Sequence, residues 1–128
     1  MRLLLDTCTF LWLILDDAAL TDKVKDAFVN PDNEVFFSVV SAWEIAVKHA
    51  VGRLDLPEDP RLYVPEQREK HGVQSLSLDE VSALQVACLP NIHNDPFDRM
   101  LISQALIHGL TIASPDEHIK KYPVRILW

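Results

Sequence analysis

Two cysteines, three glycines and no long apolar run in 128 residues each remove a class of function. Cys8 and Cys88 stand far apart with no CxxC, which argues against a thiolate metal site or a disulfide framework and for a reducing compartment. Glycine is too sparse for a phosphate-cradling loop, and neither HExxH nor a Ser-His-Asp order occurs. No stretch approaches the roughly 20 apolar residues that span a bilayer. The opening Met1-Arg2-Leu3-Leu4-Leu5 imitates a signal peptide only until Asp6, and Asp16-Asp17 follows Phe10–Leu15 where a small-residue cleavage site would be needed. A soluble cytoplasmic protein is expected. Basic charge is also short: 12 Lys and Arg face 19 Asp and Glu, a formal net charge of −7. A general nucleic-acid coat protein would be basic. Any nucleic acid is therefore handled through a local patch or through bound cations.

What is present is apolar: 48% of residues are hydrophobic, enough to bury one core, and residues 1–128 read as a single domain without linker or repeat. Leu3-Leu4-Leu5 predicts a short strand buried on both faces, with Asp6 where it ends. Phe10 to Leu15 predicts a largely buried helix stopping near Asp16-Asp17. Thr21 reads as the N-cap of a second helix through Phe28-Val29, closed by the turn cluster Asn30-Pro31-Asp32-Asn33. Val35 to Ser38 reads as a second strand, and Ser41 as the cap of a helix carrying Trp43, Glu44, Val47 and Val51, with Gly52 at C′. Pro57, Pro60 and Pro65 mark a loop with a short helix from about Pro60 to His71. Val73 to Leu76 follows as a strand, and Asp79 to Cys88 as a helix capped at Ser77 or Leu78 and stopped by Pro90. Asp95 caps, and Pro96 opens, a strong helix that Gly109 ends. Leu110 to Ala113 gives a fourth strand, Glu117 to Tyr122 a short helix, and Val124 to Leu127 an edge strand. Strands alternating with helices predict a three-layer α/β/α sandwich around a five-stranded, mostly parallel sheet.

Ligands of such sheets bind outside the carboxyl ends of the strands. Asp6 ends strand one, Glu44 opens the helix after strand two, Asp98 lies in the first turn of the helix before strand four, and Asp116 follows strand four. Each has an ordinary reading: Asp6 and Asp95 as N-caps, Glu44 completing a capping box with Ser41. Carboxylates gathered at one edge repel unless cations are present. Their recurrence points to a hard divalent ion, Mg²⁺ or Mn²⁺, with Asp95 as a further possible ligand. Calcium lacks an EF-hand-like loop here. Such an ion serves phosphodiester hydrolysis. Thr7 or Ser114 could bond a metal water or the scissile phosphate, and Arg99 a phosphate. A haloacid-dehalogenase-like site would need an Asp where Cys8 stands, and a receiver domain an Asp where Ser77 follows the third strand. His93 has no nucleophile to serve and is assigned a structural role. Lys48, Arg53, Lys120 and Lys121 read as solvated charges, and Trp12, Trp43 and Trp128 as core or interface residues.

Three passages carry a resemblance: Leu3-Leu4-Leu5-Asp6-Thr7, Ser38-Val39-Val40-Ser41-Ala42-Trp43-Glu44-Ile45, and His93-Asn94-Asp95-Pro96-Phe97-Asp98-Arg99-Met100-Leu101-Ile102-Ser103-Gln104-Ala105. Together with Thr111 to Asp116 and the Val124-Arg125-Ile126-Leu127-Trp128 tail, they resemble the PIN-domain family, in particular VapC-like ribonuclease toxins of toxin–antitoxin modules. The resemblance implies a five-stranded parallel sheet, Mg²⁺- or Mn²⁺-dependent RNA cleavage, a cognate antitoxin protein and a homodimer. Asp6, Glu44 and Asp98 match the core metal-binding acids, Asp116 the fourth and Asp95 a subgroup neighbour. Cys8 stands where the subgroup often has His, and Ser114-Pro115-Asp116 replaces the usual Thr-Arg-Asp. A weakened PIN-like binding module that acts through a protein or RNA partner is the competing expectation. The helix faces around Phe10 to Leu15 and Trp43 to Val51 are expected to form the antitoxin groove.

Overall fold

The structure, a computed structural model, describes all residues from Met1 to Trp128. Five strands, β1 (Arg2–Leu5), β2 (Glu34–Ser38), β3 (Gln74–Leu76), β4 (Thr111–Ala113) and β5 (Ile126–Leu127), form one sheet in the order β3-β2-β1-β4-β5. Every pairing is parallel. Six helices join them: α1 (Thr7–Leu15), α2 (Asp22–Val29), α3 (Val39–Ala50), α4 (Pro60–Lys70), α5 (Glu80–Gln85) and α6 (Pro96–His108). The α/β sandwich anticipated from the alternation is present.

Both faces of the sheet are covered, because alternate side chains of the central strands β2, β1 and β4 point to opposite sides and most are apolar. Leu3 and Leu5 of β1, Val35 and Phe37 of β2 and Ala113 of β4 enter one core, completed by Phe10, Val24, Ile45 and Val64 from α1 to α4. Leu4, Phe36 and Ile112 point the other way, onto Leu101, Ile102 and Ala105 of α6. Leu3, Leu4 and Leu5 are wholly excluded from solvent. At about 1.5–3 kcal/mol per fully buried Leu, β1 anchors both layers.

The strand order places the site. From β1 the chain leaves toward β2 on one side, while β4 arrives on the other. The two loops beyond β1 and β4 therefore diverge, leaving a crevice at the carboxyl edge of the sheet. Leu5 is in register with both Phe37 and Ala113. One residue further on, Ser38, Asp6 and Ser114 share the edge, and all three are buried.

Several boundaries differ from the sequence reading. The third helix starts at Val39, with Ser38 as N-cap receiving the Val40 amide at 3.0 Å, not at Ser41. Burial of Val40 in the second core outweighs the reluctance of β-branched residues to enter helices. The first helix is not largely buried: Phe10 is enclosed, Leu11 to Ile14 are half-buried, and Leu15 is 60% exposed. It lies against the sheet along one side only. The segment expected as one helix from Asp79 to Cys88 splits into α5 and a 3₁₀ turn at Val86–Cys88, and its N-cap is Asp79. Glu117 to Tyr122 contains only a 3₁₀ turn at Ile119–Lys121, because Tyr122 is drawn into the core and Pro123 follows. Gly109 ends α6 at φ +66°, the left-handed conformation that glycine adopts without penalty.

Candidate active site

Each acid is set by the local chemistry of its own element. Asp6 caps α1: Oδ1 accepts the Thr9 amide at 2.8 Å. Asp95 caps α6 and accepts the Asp98 amide at 3.0 Å. Asp116 closes a turn after β4. Its amide donates to Ser114 Oγ at 3.0 Å, and Oδ1 accepts the His118 amide at 2.7 Å. The capping readings of Asp6 and Asp95 are correct, and capping also fixes the two side chains at the crevice. The capping box proposed for Glu44 does not form. With α3 starting at Val39, Glu44 lies in the second turn and is 6% exposed. Its Oε1 accepts the Thr7 hydroxyl at 2.6 Å, with Ser41 Oγ 2.9 Å from that hydroxyl. Lys48, one turn on, pairs with Glu44 Oε2.

The carboxylates feel one another. Burial raises the proton affinity of Asp6, hydrogen bonding to Ser114 and Thr9 opposes the rise, and the charge of Asp116 adds to it. Asp98 is pushed up to about 6. Burial is the main cause, His93 counters it by donating to Oδ2 at 3.1 Å, and Asp95, Asp116 and Glu44 add repulsion. Asp6, Glu44, Asp95, Asp98 and Asp116, from separate stretches of the sequence, thus share one field, and Asp95 is the strongest of the charges acting on Asp98. The cation inside that field is Lys48, whose ammonium is stabilised by its hydrogen bond to Glu44 and by the charges of Asp95 and Asp98.

No three His, Cys, Asp or Glu side chains close into a chelate. The donor set nevertheless fits a hard divalent ion, being all oxygen and short of positive charge except where Lys48 supplies it. Cys8 contributes no softness. Partial burial and the charges of Asp6, Asp17 and Glu44 push its thiol up to about 12, so it stays protonated.

Three other expectations are refined. Thr7 is bonded to Glu44, and Ser114 Oγ accepts the Asp116 amide. Arg99 has its guanidinium engaged within the protein. Its guanidinium donates to the Pro90 carbonyl at 2.9 Å, the Val86 carbonyl at 3.4 Å and Tyr122 Oη at 2.9 Å, clamping the loop before α6. His93 and Lys48 are the residues the sequence reading undervalued. The Lys48 signal was its i, i+4 spacing from Glu44. His93 stands in the same matching passage as Asp95 and Asp98, but its second partner, Tyr122, is 29 residues away. The cavity beside Glu44 measures about 250 Å³ and is lined by Thr7, Cys8, Leu11, Trp12, Lys48 and Arg53 among others.

Known proteins share this fold. Ribonuclease VapC16 of Mycobacterium tuberculosis (strain ATCC 25618 / H37Rv) is 30% identical over 95 residues, which cover 74% of this chain and 63% of that protein. The chain thus spans less than two thirds of this relative. The crystal structure of VapBC2 from Rickettsia felis, bound to a DNA fragment from its promoter, superposes with a TM-score of 0.75 at 12% identity, covering 98% of this chain and 97% of the other. DNA-bound VapBC from Salmonella typhimurium gives 0.71 at 20% identity, covering 98% and 96%. At such identities the structures speak for the fold. The PIN domain family model matches residues 3–124, from the first buried strand almost to the last, and the chain belongs to the PIN domain family.

Proposed function

We propose that this PIN domain is a VapC-type ribonuclease that hydrolyses RNA phosphodiester bonds with Mg²⁺ or Mn²⁺ and pairs with a small cognate antitoxin. The supporting observation is that Asp6 and Asp98, at the carboxyl edge of a parallel sheet, both have raised proton affinity, chiefly through burial, with the charge of Asp116 adding at both and those of Asp95 and Glu44 at Asp98. Asp6, Glu44, Asp98 and Asp116 would hold the ion, with Asp95 beside them. When bound, it supplies water activation and neutralises charge at a phosphoryl oxygen. The protein's part is positional. Thr7 donates to Glu44 and fixes one carboxylate oxygen, and the α1 cap fixes Asp6. Lys48 neutralises Glu44 and stands at the mouth of the cleft, where a phosphate would approach.

The protein partner is inferred from the VapBC complexes among the similar structures and from apolar surface beside the acids. On α3, Trp43, Val47 and Val51 are 59%, 41% and 64% exposed, and Leu11 and Trp12 of α1 line the adjacent cleft. An antitoxin helix or extended segment would cover these residues and bring a basic side chain toward the carboxylates. Homodimerisation and a cytoplasmic location belong to the same reading. No helix is long and apolar enough to cross a membrane.

The test is RNA cleavage by purified wild type and Asp98→Asn with Mg²⁺, Mn²⁺ or chelator. Cleavage should require either ion, stop with chelator and fall to background in the variant. Cleavage indifferent to both would overturn the assignment. RNA binding without cleavage under every condition would identify the binding-module alternative instead.

A further inference from the structure

The loop before α6 contains an ordered chain of hydrogen bonds that ends on Asp98. Arg99 Nη1 donates to Tyr122 Oη at 2.9 Å, and the backbone amide of His93 reaches the same oxygen at 3.3 Å. Arginine has no acceptor and an amide N–H none either, so both lone pairs of the phenol oxygen are engaged. The phenol's own proton then points to the remaining neighbour, His93 Nδ1, at 2.8 Å. Nδ1 is consequently the acceptor, and the ring proton resides on Nε2, which lies 3.1 Å from Asp98 Oδ2. The imidazole is held from the side as well, stacked on His118 with ring centroids 5.1 Å apart and planes 12° off parallel. Arg99 is anchored in turn by the Pro90 and Val86 carbonyls, and Tyr122 is 4% exposed.

We propose that His93 is a positioning residue for Asp98: its tautomer, set by Tyr122 and Arg99, donates Nε2–H to Oδ2 and turns the other carboxylate oxygen toward Glu44 and Asp116. Without that bond the Asp98 side chain can rotate, since its carboxylate accepts no other hydrogen bond and Asp95, Asp116 and Glu44 repel it. The consequence for a bound ion rests on the metal-dependent reading of the previous section; the tautomer and the carboxylate orientation do not. Hydrogen-bond partners of ligating carboxylates are commonly worth about 10–100-fold in metal affinity or activity.

Two measurements test this. In metal-free wild type, at a pH where the imidazole is neutral, ¹⁵N shifts should place its proton on Nε2, and Tyr122→Phe should lose that preference. Protonation on Nδ1, or a pattern unchanged in Tyr122→Phe, overturns the inference whether or not the protein binds metal. Mn²⁺ binding is then followed by calorimetry. His93→Ala should bind Mn²⁺ about 10–100-fold more weakly with an unchanged KM for RNA, and His93→Gln, whose amide can still donate, should recover most of the loss. Wild-type affinity in a folded His93→Ala, checked by circular dichroism, would overturn the positioning role. Failure of the wild type itself to bind Mn²⁺ would instead strike the metal-dependent reading and leave the tautomer result to decide His93.

Discussion

Replacing Asp98 by Asn should make the metal-free protein more stable at neutral pH, and the gain should vanish in acid. The Asp98 carboxyl is raised from 3.8 to about 6 in the folded state, chiefly by burial. At 1.36 kcal/mol per unit, this amounts to roughly 3 kcal/mol that the ionised group costs the fold. Its side chain remains 18% exposed, so solvent screening reduces the figure to about 1–2 kcal/mol. The sign follows from proton binding. Above about pH 6 both folded and unfolded chains carry the charge, and the cost is complete; below about pH 4 both are protonated, and it disappears. Between these limits the folded state binds more protons, so stability falls as pH rises. Asn keeps an oxygen to accept from His93 and leaves the backbone cap to Asp95 intact. Urea unfolding with chelator, comparing the two proteins near pH 8 and pH 4, should show the variant ahead by about 1–2 kcal/mol at the higher pH and nearly level at the lower. Equal stability near pH 8, or a gap that does not change with pH, would refute the account of Asp98 as a buried, crowded acid.

Lys48→Met removes the one cation paired with Glu44, so Mn²⁺ affinity measured by calorimetry should rise several-fold while metal-free stability falls. Leu4→Ala opens a cavity in a fully buried central strand and should cost about 2–5 kcal/mol in urea unfolding, with the unfolding slope unchanged. Gln104 is wholly buried, accepting from Ser38 Oγ at 2.6 Å and donating to the Ser77 carbonyl at 3.2 Å. Gln104→Ala should destabilise by about 2–4 kcal/mol, since it orphans a buried hydroxyl and carbonyl as well as leaving space. Gly109→Ala, forced into the left-handed region at φ +66°, should cost about 1 kcal/mol by the same assay.

The three central strands were readable because Leu3–Leu5, Val35–Phe37 and Ile112-Ala113 are apolar runs between turn signals, whereas the edge strand β3 carries exposed Gln74 and Ser75 and has no such run. The depth of α1 was not readable. Leu11, Trp12, Leu13, Ile14 and Leu15 have the composition of a core helix, but composition does not say how many sides of a helix meet protein. The start of α3 was hidden by Val39-Val40, whose strand preference is overruled by the pocket that Val40 fills. At the site, the acids could be named from residue type and position after each strand. Their hydrogen-bond roles could not: Thr7 with Glu44 and Tyr122 with His93 are pairings created by the fold across 37 and 29 residues. Arg99, beside Asp98 in sequence, looked available for phosphate, and only the closeness of Pro90 and Val86 shows where its donors go.

The central place of β1 has a consequence in time. The first strand to be synthesised is flanked by β2 on one side and, on the other, by β4, whose partner residues Thr111 to Ala113 come more than a hundred positions later. Until β4 inserts, Asp6 has neither Ser114 nor Asp116 beside it, and Leu3, Leu4 and Leu5 have one open edge. An elongating chain that has already exposed Asp6, Glu44 and Asp98 therefore still lacks the wall that joins them. Whatever reaction the crevice performs, the order of synthesis postpones it until the sheet has closed around its oldest strand.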